Sequence, residues 1–280
     1  MKVAVASGKG GTGKTTLAVS LALALAETEK VELLDCDVEE PNVHLFLHPR
    51  LVSRESVNKL LPVVDEERCT RCGACVRACE FHALGLLGGS VVVYPQLCHG
   101  CGRCGLVCPV EAIADVPQEI GKVEWGTARG LRLGRGILNV GEAAATPIIH
   151  ALQRGMSSDA TIVLDAPPGT GCPTIATLRG ADATLLVTEP TPFGLHDLRA
   201  AVGVARALGV PVAVIVNRDG VSDRGVESYC RQESLPILLK IPFDREIAAS
   251  YAAGVPLVDA FPKWKSALLE VFSALVEGLK

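Results

Sequence analysis

The sequence predicts an α/β protein: a doubly wound, mostly parallel sheet interrupted by a small cysteine-rich module. Three observations predict it. Short apolar runs alternate with helical segments towards both ends of the chain, a glycine-rich loop joins the first run to the first helix, and eight of eleven cysteines fall between Cys69 and Cys108. Alternation of strand and helix calls for right-handed crossovers onto a parallel sheet. Near-continuous apolar strands fit a sheet covered by helices on both faces.

The elements follow in order. Val3–Ala6 reads as a strand, Lys14–Ala26 as an apolar helix and Val31–Leu34 as a second strand. Beyond residue 160, strand-like runs Thr161–Leu164, Thr184–Val187, Val212–Val216 and Ile237–Ile241 alternate with helical segments. Those segments are Pro173–Leu178, Leu195–Leu208, Asp223–Gln232 and Arg245–Ala253. Between about Val63 and Pro117 the pattern breaks, and Cys69, Cys72, Cys75 and Cys79 recur 29 positions later as Cys98, Cys101, Cys104 and Cys108. The repeat extends to Gly73/Gly102 and Ala83/Ala112. Residues 1–62 and 118–280 are therefore expected to form one discontinuous domain, with a module of residues 63–117 set into it. Gly121–Val140 reads as a β excursion leading to a helix over Ala143–Gln153.

Composition narrows the function. At 280 residues, 49% hydrophobic and 21% charged, the chain can bury a sizeable core. A net charge of −4 gives no basic field for a polyanion, and 4% aromatics are too few for stacking platforms, so nucleic acid is not an expected partner. No signal-like segment opens the sequence, and the run Leu17–Ala26 is far short of a membrane span, so neither secretion nor a membrane partner is expected. A reducing cytoplasm is the expected setting, where clustered thiols read as metal ligands rather than disulfides.

Gly8-Lys9-Gly10-Gly11-Thr12-Gly13-Lys14-Thr15 matches G-x-x-x-x-G-K-S/T between a strand and a helix. The loop's backbone N–H groups and the helix dipole would cradle phosphates, with Thr16 continuing the helix. Lys14 would reach the β/γ-phosphates of ATP, and Thr15 would hold Mg²⁺. The string Lys9-Gly10-Gly11-Thr12-Gly13-Lys14-Thr15-Thr16 resembles the deviant Walker A motif of the MinD, ParA, Mrp and nitrogenase iron protein superfamily, P-loop NTPases of the SIMIBI type. That resemblance implies an ATP-sandwich homodimer in which Lys9 crosses to the partner's nucleotide.

Two further stretches resemble the same family. Asp35-Cys36-Asp37 and Glu39-Glu40-Pro41-Asn42 resemble switch I, with Asp37 orienting the attacking water. Asp165-Ala166-Pro167-Pro168-Gly169-Thr170 resembles switch II, with Asp165 near Mg²⁺. Asn217 stands where the family has an adenine-reading asparagine. The run Asn217-Arg218-Asp219-Gly220 lacks the terminal carboxylate of a guanine-reading motif, which favours ATP over GTP. Pro242 and Asp244, around Phe243, are a second expected wall of the base pocket.

C-x₂-C-x₂-C-x₃-C occurs twice, the bacterial ferredoxin spacing. Three thiolates wrap one cubane while the fourth crosses to the other. Cys69, Cys72, Cys75 and Cys108 would hold one 4Fe–4S cluster, and Cys98, Cys101, Cys104 and Cys79 the second. Zinc is the competing reading, since Cys₄ sites also use C-x₂-C pairs. Cys108 is followed by Pro109, as the motif expects, but Cys79 is followed by Glu80, whose charge would disfavour reduction nearby.

A P-loop domain carrying such an insert resembles MinD-superfamily ATPases with a ferredoxin domain, catalogued under the cobyrinic acid a,c-diamide synthase-like nucleotide-binding domain. The resemblance implies ATP hydrolysis, possible only slowly without a partner, that gates electron transfer from two clusters to an unidentified acceptor. The alternatives are an iron–sulfur or metallocofactor assembly ATPase and a MinD-like nucleotide-switched positioning protein. Cys172, seven residues after Asp165, reads as a small buried thiol. Trp264, Leu268, Phe272, Leu275 and Leu279 form an apolar stripe expected to pack as the last helix.

Overall fold

The computed structural model of the chain describes residues 1–221 and 225–278. Its parallel strands are β1 (Lys2–Ala6), β2 (Val31–Asp35), β7 (Leu131–Leu138), β8 (Thr161–Asp165), β9 (Ala183–Thr188), β10 (Val212–Asp219) and β11 (Ile237–Pro242). With β3 (Arg50–Val64) and β6 (Ile113–Ala128) they form a nine-stranded sheet ordered β11-β10-β9-β1-β8-β2-β7-β6-β3. Only the last two join antiparallel.

Side chains alternate between two apolar layers, as a strand's period of two demands. Val3, Val5, Leu33, Val163, Leu185 and Ile215 enter the layer with helix α1 (Lys14–Leu25) and α11 (Lys263–Gly278). Ala4, Leu34, Ile162, Leu164, Leu186 and Val214 face the layer with α5 (Thr146–Arg154) and α7 (Pro192–Ala207). Nearly every residue of α1 is buried, because α11 covers its outer face. Trp264, Leu268 and Leu275 of the expected C-terminal stripe are buried in that layer with Phe272 against it, whereas Leu279 lies outside the described residues. The helix expected from Asp223 is described from Gly225 to Gln232, and Asp223 also lies outside the described residues.

The expected β excursion is longer than the sequence indicated. β6 and β7 are joined by Arg129 and Gly130, both with positive φ (53° and 82°), a turn whose twist suits a hairpin. β3 pairs with β6 from Arg50↔Thr127 to Val64↔Ile113, without a break at the expected domain junctions after residues 62 and 117. Two glycines admit this packing: a Cβ on Gly121 would lie 2.2 Å from the Ile137 carbonyl, and one on Gly136 2.5 Å from Val38. Glu124 is buried at the base of the ribbon and accepts from Arg54 (2.8 Å) and Arg135 (2.7 Å). Burial alone would raise its pKa; the two guanidiniums outweigh that and hold it below the ordinary value.

The ribbon's direction decides what the fold can do. β7 runs parallel to β2 and ends at Leu138, opposite Gly121 of the antiparallel β6. Residues 113–120 and their partners in β3 therefore project past the carboxyl ends of the parallel strands. At the tip lie α3 (Ala74–Ala78), the hairpin β4 (Leu84–Leu87) and β5 (Ser90–Val93), and α4 (Arg103–Leu106). Both short helices start at a left-handed glycine, Gly73 (φ 71°) and Gly102 (φ 71°), which explains why these glycines repeat.

Candidate functional site

The carboxyl ends of β1, β2 and β8 meet at the phosphate-type loop, where open α/β sheets bind ligands. Register fixes the acidic residues: Asp35 and Asp165 are paired neighbours on β2 and β8, and Val5 of β1 lies beside Asp165. Lys14, on the first turn of α1, donates to Asp37 (Nζ–Oδ2 3.2 Å) and stands 4.0 Å from Asp165 Oδ1. Thr15 donates to Asp165 Oδ2 at 2.7 Å. Asp165 Oδ1 is buried with no hydrogen-bond partner among the described residues.

This grouping shifts its members. Burial raises the Asp165 carboxyl to about 6, although Lys14 and Thr15 pull against it. Burial would lower the pKa of Lys14, but Asp165 and Asp37 outweigh it and the ammonium is held above its ordinary value. Asp35 is pushed well up, by burial and then by Asp165. Its carboxylate instead accepts from the backbone of Asn42 (2.9 Å) and Val43 (3.0 Å), fixing the short helix α2 (Val43–Leu47) after the Asp37 segment.

The loop's glycines have separate reasons. A Cβ on Gly8 would meet the Asp197 carbonyl of α7 at 2.2 Å, so the loop lies directly on that helix. Gly13 has φ 92°, and its Cβ would sit 2.5 Å from the Asn217 amide. Gly11 also has positive φ (77°), whereas Gly10 faces open space. Thr12 Oγ1 is buried without a partner among the described residues.

Beside the loop is a cavity of about 210 Å³ lined by Thr16, Asn217, Pro242, Phe243, Asp244 and Tyr251, among others. It brings together the residues expected to contact the base, but two of them already have local duties. The Asn217 amide donates to the Thr12 carbonyl (2.8 Å), bracing the loop, and Asp244 caps α9 (Arg245–Ala252) by accepting from Glu246 N at 2.7 Å. Sequence reasoning missed Tyr251, which stacks obliquely near Phe46. It also missed Glu189 at the end of β9, which binds Lys9 at 3.1 Å and also pairs with Arg218. A carboxylate at the carboxyl end of an apolar strand was the available signal.

The eight repeated cysteines lie at the ribbon's tip in two groups. Cys79, Cys98, Cys101 and Cys104 line an inner pocket beside Leu60 and Pro62. Cys69, Cys72, Cys75 and Cys108 line an outer pocket beside Val64 and Ile113. Backbone amides point at sulfur with the same two-fold repetition: Ala83 N to Cys79 and Ala112 N to Cys108, both 3.2 Å. The Ala83/Ala112 repeat thus marks equivalent turns. Such amides favour thiolates. The exposed Cys72 thiol is drawn below its ordinary pKa, chiefly by the Ala74 amide. Glu80 is ion-paired to Arg103 at 2.8 Å. Cys36 is buried, its thiol raised by burial and then by Asp35, whereas Cys172, expected to be buried, is exposed because it opens the helix Cys172–Leu178 at the loop after β8.

Among the described residues, no helix is long and apolar enough to cross a membrane. The chain is 33% identical over 257 residues to an uncharacterized protein, MJ0579, of Methanocaldococcus jannaschii, covering 91% of this chain and 90% of that one. It is 28% identical over 302 residues to a protein of Pyrococcus abyssi named iron-sulfur cluster carrier protein, covering 100% and 86%. The fold is that of the cell division ATPase MinD of Pyrococcus furiosus, with a TM-score of 0.60 at 20% identity over 100% of this chain and 99% of the other. Residues 3–257 match the CobQ/CobB/MinD/ParA nucleotide binding domain, and the chain belongs to that family.

Proposed function

We propose that the chain is an ATP-hydrolysing carrier of 4Fe–4S clusters. The observation that carries this reading is the pairing of two four-thiol pockets with a P-loop at the carboxyl end of one sheet. Full-length similarity to a protein named iron-sulfur cluster carrier supports it, and moves the emphasis from the electron transfer expected from sequence to the assembly alternative.

The donor sets fit a polynuclear cluster. Each pocket offers four thiols, while no three His, Cys, Asp or Glu among the described residues are grouped as one metal ion would need. That favours two clusters over two zinc ions, with the ligand groups expected from the spacing. The Thr15 hydroxyl and the unpartnered Asp165 Oδ1 likewise fit Mg²⁺. When bound, the ion supplies charge neutralisation at the phosphates. Lys14 binds the β/γ-phosphates, backbone amides from Gly8 to Thr16 cradle them, and Asp37 orients water. Lys9 reaches the nucleotide of a second copy in an ATP-dependent homodimer.

The test is anaerobic loading with iron and sulfide, followed by transfer to an apo-acceptor with and without Mg-ATP. A carrier gives transfer whose rate depends on ATP and on Lys14. ATP-dependent reduction of an acceptor without loss of iron would favour electron transfer instead. For that second reading the supporting observation is adjacency: Cys75 and Cys104, one from each pocket, pack in a single cluster with Leu84. ATP-dependent pelleting with liposomes and no transfer would favour a positioning protein.

A further inference from the structure

The two thiol pockets are related by the sequence repeat but are not held alike. Lys59 of β3 has a side chain only 2% exposed, and its ammonium donates to Glu142 Oε2 at 2.6 Å and to the Pro95 carbonyl at 2.8 Å. Three segments meet there: the ribbon, the loop after β7, and the loop leading into Cys98. The same Pro95 carbonyl accepts from Cys98 N at 3.2 Å, so Lys59 grips the turn that sets the first inner cysteine. Gly100, two residues on, lies flat against the ribbon: with φ 66°, its Cβ would approach Leu60 O at 3.0 Å and Lys59 Cβ at 3.2 Å.

The outer repeat is held by a different device: Asp65, which leaves the ribbon, donates to Ala112 O at 2.8 Å and accepts from Cys69 N at 2.9 Å. Subtracting the repeat of 29, Pro95 corresponds to Glu66 and Gly100 to Arg71, and both of those residues are exposed. Arg71 keeps the left-handed backbone (φ 59°), but the Cys69 amide bonds to Asp65 O and not to Glu66 O, and among the described residues no ammonium reaches this turn. The pseudo-symmetry is broken at the positions that meet Lys59 and Leu60.

Glu142 connects this point to the nucleotide site over a short path. Its backbone N–H closes a turn on Asn139 O (3.1 Å), and Asn139 N binds Ile120 O (2.8 Å). The preceding residue, Leu138, donates to Val38 O at 2.8 Å. Val38 also fills the notch left by Gly136 and directly follows Asp37, the partner of Lys14. A phosphate reaching Lys14 competes for the donor that now holds Asp37, so rearrangement of residues 37–38 is passed to residues 138–142.

We propose that Lys59 is a positioning residue that ties the inner thiol pocket, and not the outer one, to the nucleotide site. This rests on the ATP-dependent carrier reading, and makes the inner pocket the one whose thiol loop responds to ATP. The experiment is hydrogen exchange with mass spectrometry on the full chain purified anaerobically, with and without Mg²⁺ and a non-hydrolysable ATP analogue.

In the wild type, exchange in residues 95–102 should change about threefold on adding the analogue, while residues 66–73 stay unchanged and residues 8–16 gain protection. In Lys59→Met the response at 95–102 should disappear with protection at 8–16 retained. Because Lys59→Met strands the Glu142 carboxylate, the double variant Lys59→Met/Glu142→Leu supplies an apolar pair at the same place and should behave likewise. Equal responses in both repeats, no response at 95–102, no protection at 8–16, or a wild-type response in the double variant would each overturn the proposal. Exchange reads nucleotide binding and not transfer. Failure of transfer to an apo-acceptor with these exchange results intact would sink the carrier reading alone.

Discussion

Lys9 and Glu189 form an ion pair at 3.1 Å between the second residue of the phosphate loop and the end of β9. Glu189 is nearly buried and also takes the guanidinium of Arg218, which in turn donates to Gly11 O at 3.2 Å. One carboxylate therefore holds the lysine and, through Arg218, braces the far side of the loop. A lysine that acts on a second copy's nucleotide must first leave this carboxylate.

Replacing Glu189 by Gln should favour self-association in the presence of a non-hydrolysable ATP analogue. Lys9 is one-third exposed, so the pair holds it by about 1 kcal/mol in each subunit, and with two such lysines per dimer roughly 30-fold in the dimer constant. Sedimentation at several protein concentrations reads this directly. Arg218→Gln serves as the control, since it loosens the same carboxylate without freeing Lys9. An identical dimer constant in Glu189→Gln would mean that Lys9 is not restrained by this contact.

Asp165 carries a pH-dependent stability penalty. A carboxyl raised to about 6 in the fold, against 3.8 as its ordinary value, binds its proton more tightly when folded. Its contribution to stability therefore falls as pH rises between about 4 and 6 and stays at its lowest above that. Asp165→Asn, measured without Mg²⁺ or nucleotide, should be more stable than the wild type at pH 7 by on the order of 2 to 3 kcal/mol. The gain should vanish below about pH 4. Denaturant unfolding at both pH values is the check, and a variant less stable at pH 7 would refute the assignment. ATP hydrolysis should be lost in the same variant.

Gly8, the first fixed glycine of the motif, and Gly10, at one of its variable positions, should respond differently to alanine. A methyl at Gly8 runs into the backbone of Asp197, which α7 cannot easily move, whereas one at Gly10 meets nothing within 4 Å. Gly8→Ala should lose about 2 kcal/mol of stability and most nucleotide affinity; Gly10→Ala should unfold as the wild type does. Thermal unfolding and nucleotide titration separate the two. Equal stability of both variants would mean that the loop does not rest on α7.

The central parallel strands β1, β2, β8 and β9 were legible because each is buried on both faces, so apolar runs such as Thr184–Val187 carry no competing pattern. The motif likewise located the loop, since Gly8 to Thr15 can occupy only a strand–helix junction. The ribbon was hidden for a physical reason. Arg50–Val64 is exposed and charged over its first half, as an edge strand permits, and its projecting half contains Pro62, while its partner strand contains Pro117. Those residues argue against a central strand, yet they are tolerated where the ladder runs out beyond the sheet. Lys59 and Glu142 were invisible because 83 residues separate them; only the fold makes them neighbours. The pairing of Glu189 with Arg218 escaped for the same reason, since 29 residues separate the two.

The last expectation concerns Glu80, which the sequence offered as a bare negative charge after Cys79. In the fold it is paired with Arg103, across the inner thiol pocket's own segment, and both side chains are more than half exposed. The pair presents almost no net charge to that pocket, so each single neutralisation exposes the other partner. In protein loaded with clusters, Glu80→Gln should raise the potential of the inner cluster and Arg103→Gln should lower it. Solvent screening keeps both shifts on the order of tens of millivolts. The double variant should return close to the wild type, because removing both charges restores the neutral field. EPR-monitored redox titration of the four proteins checks this; a double variant that matches Glu80→Gln would mean that Arg103 does not offset Glu80 at the cluster.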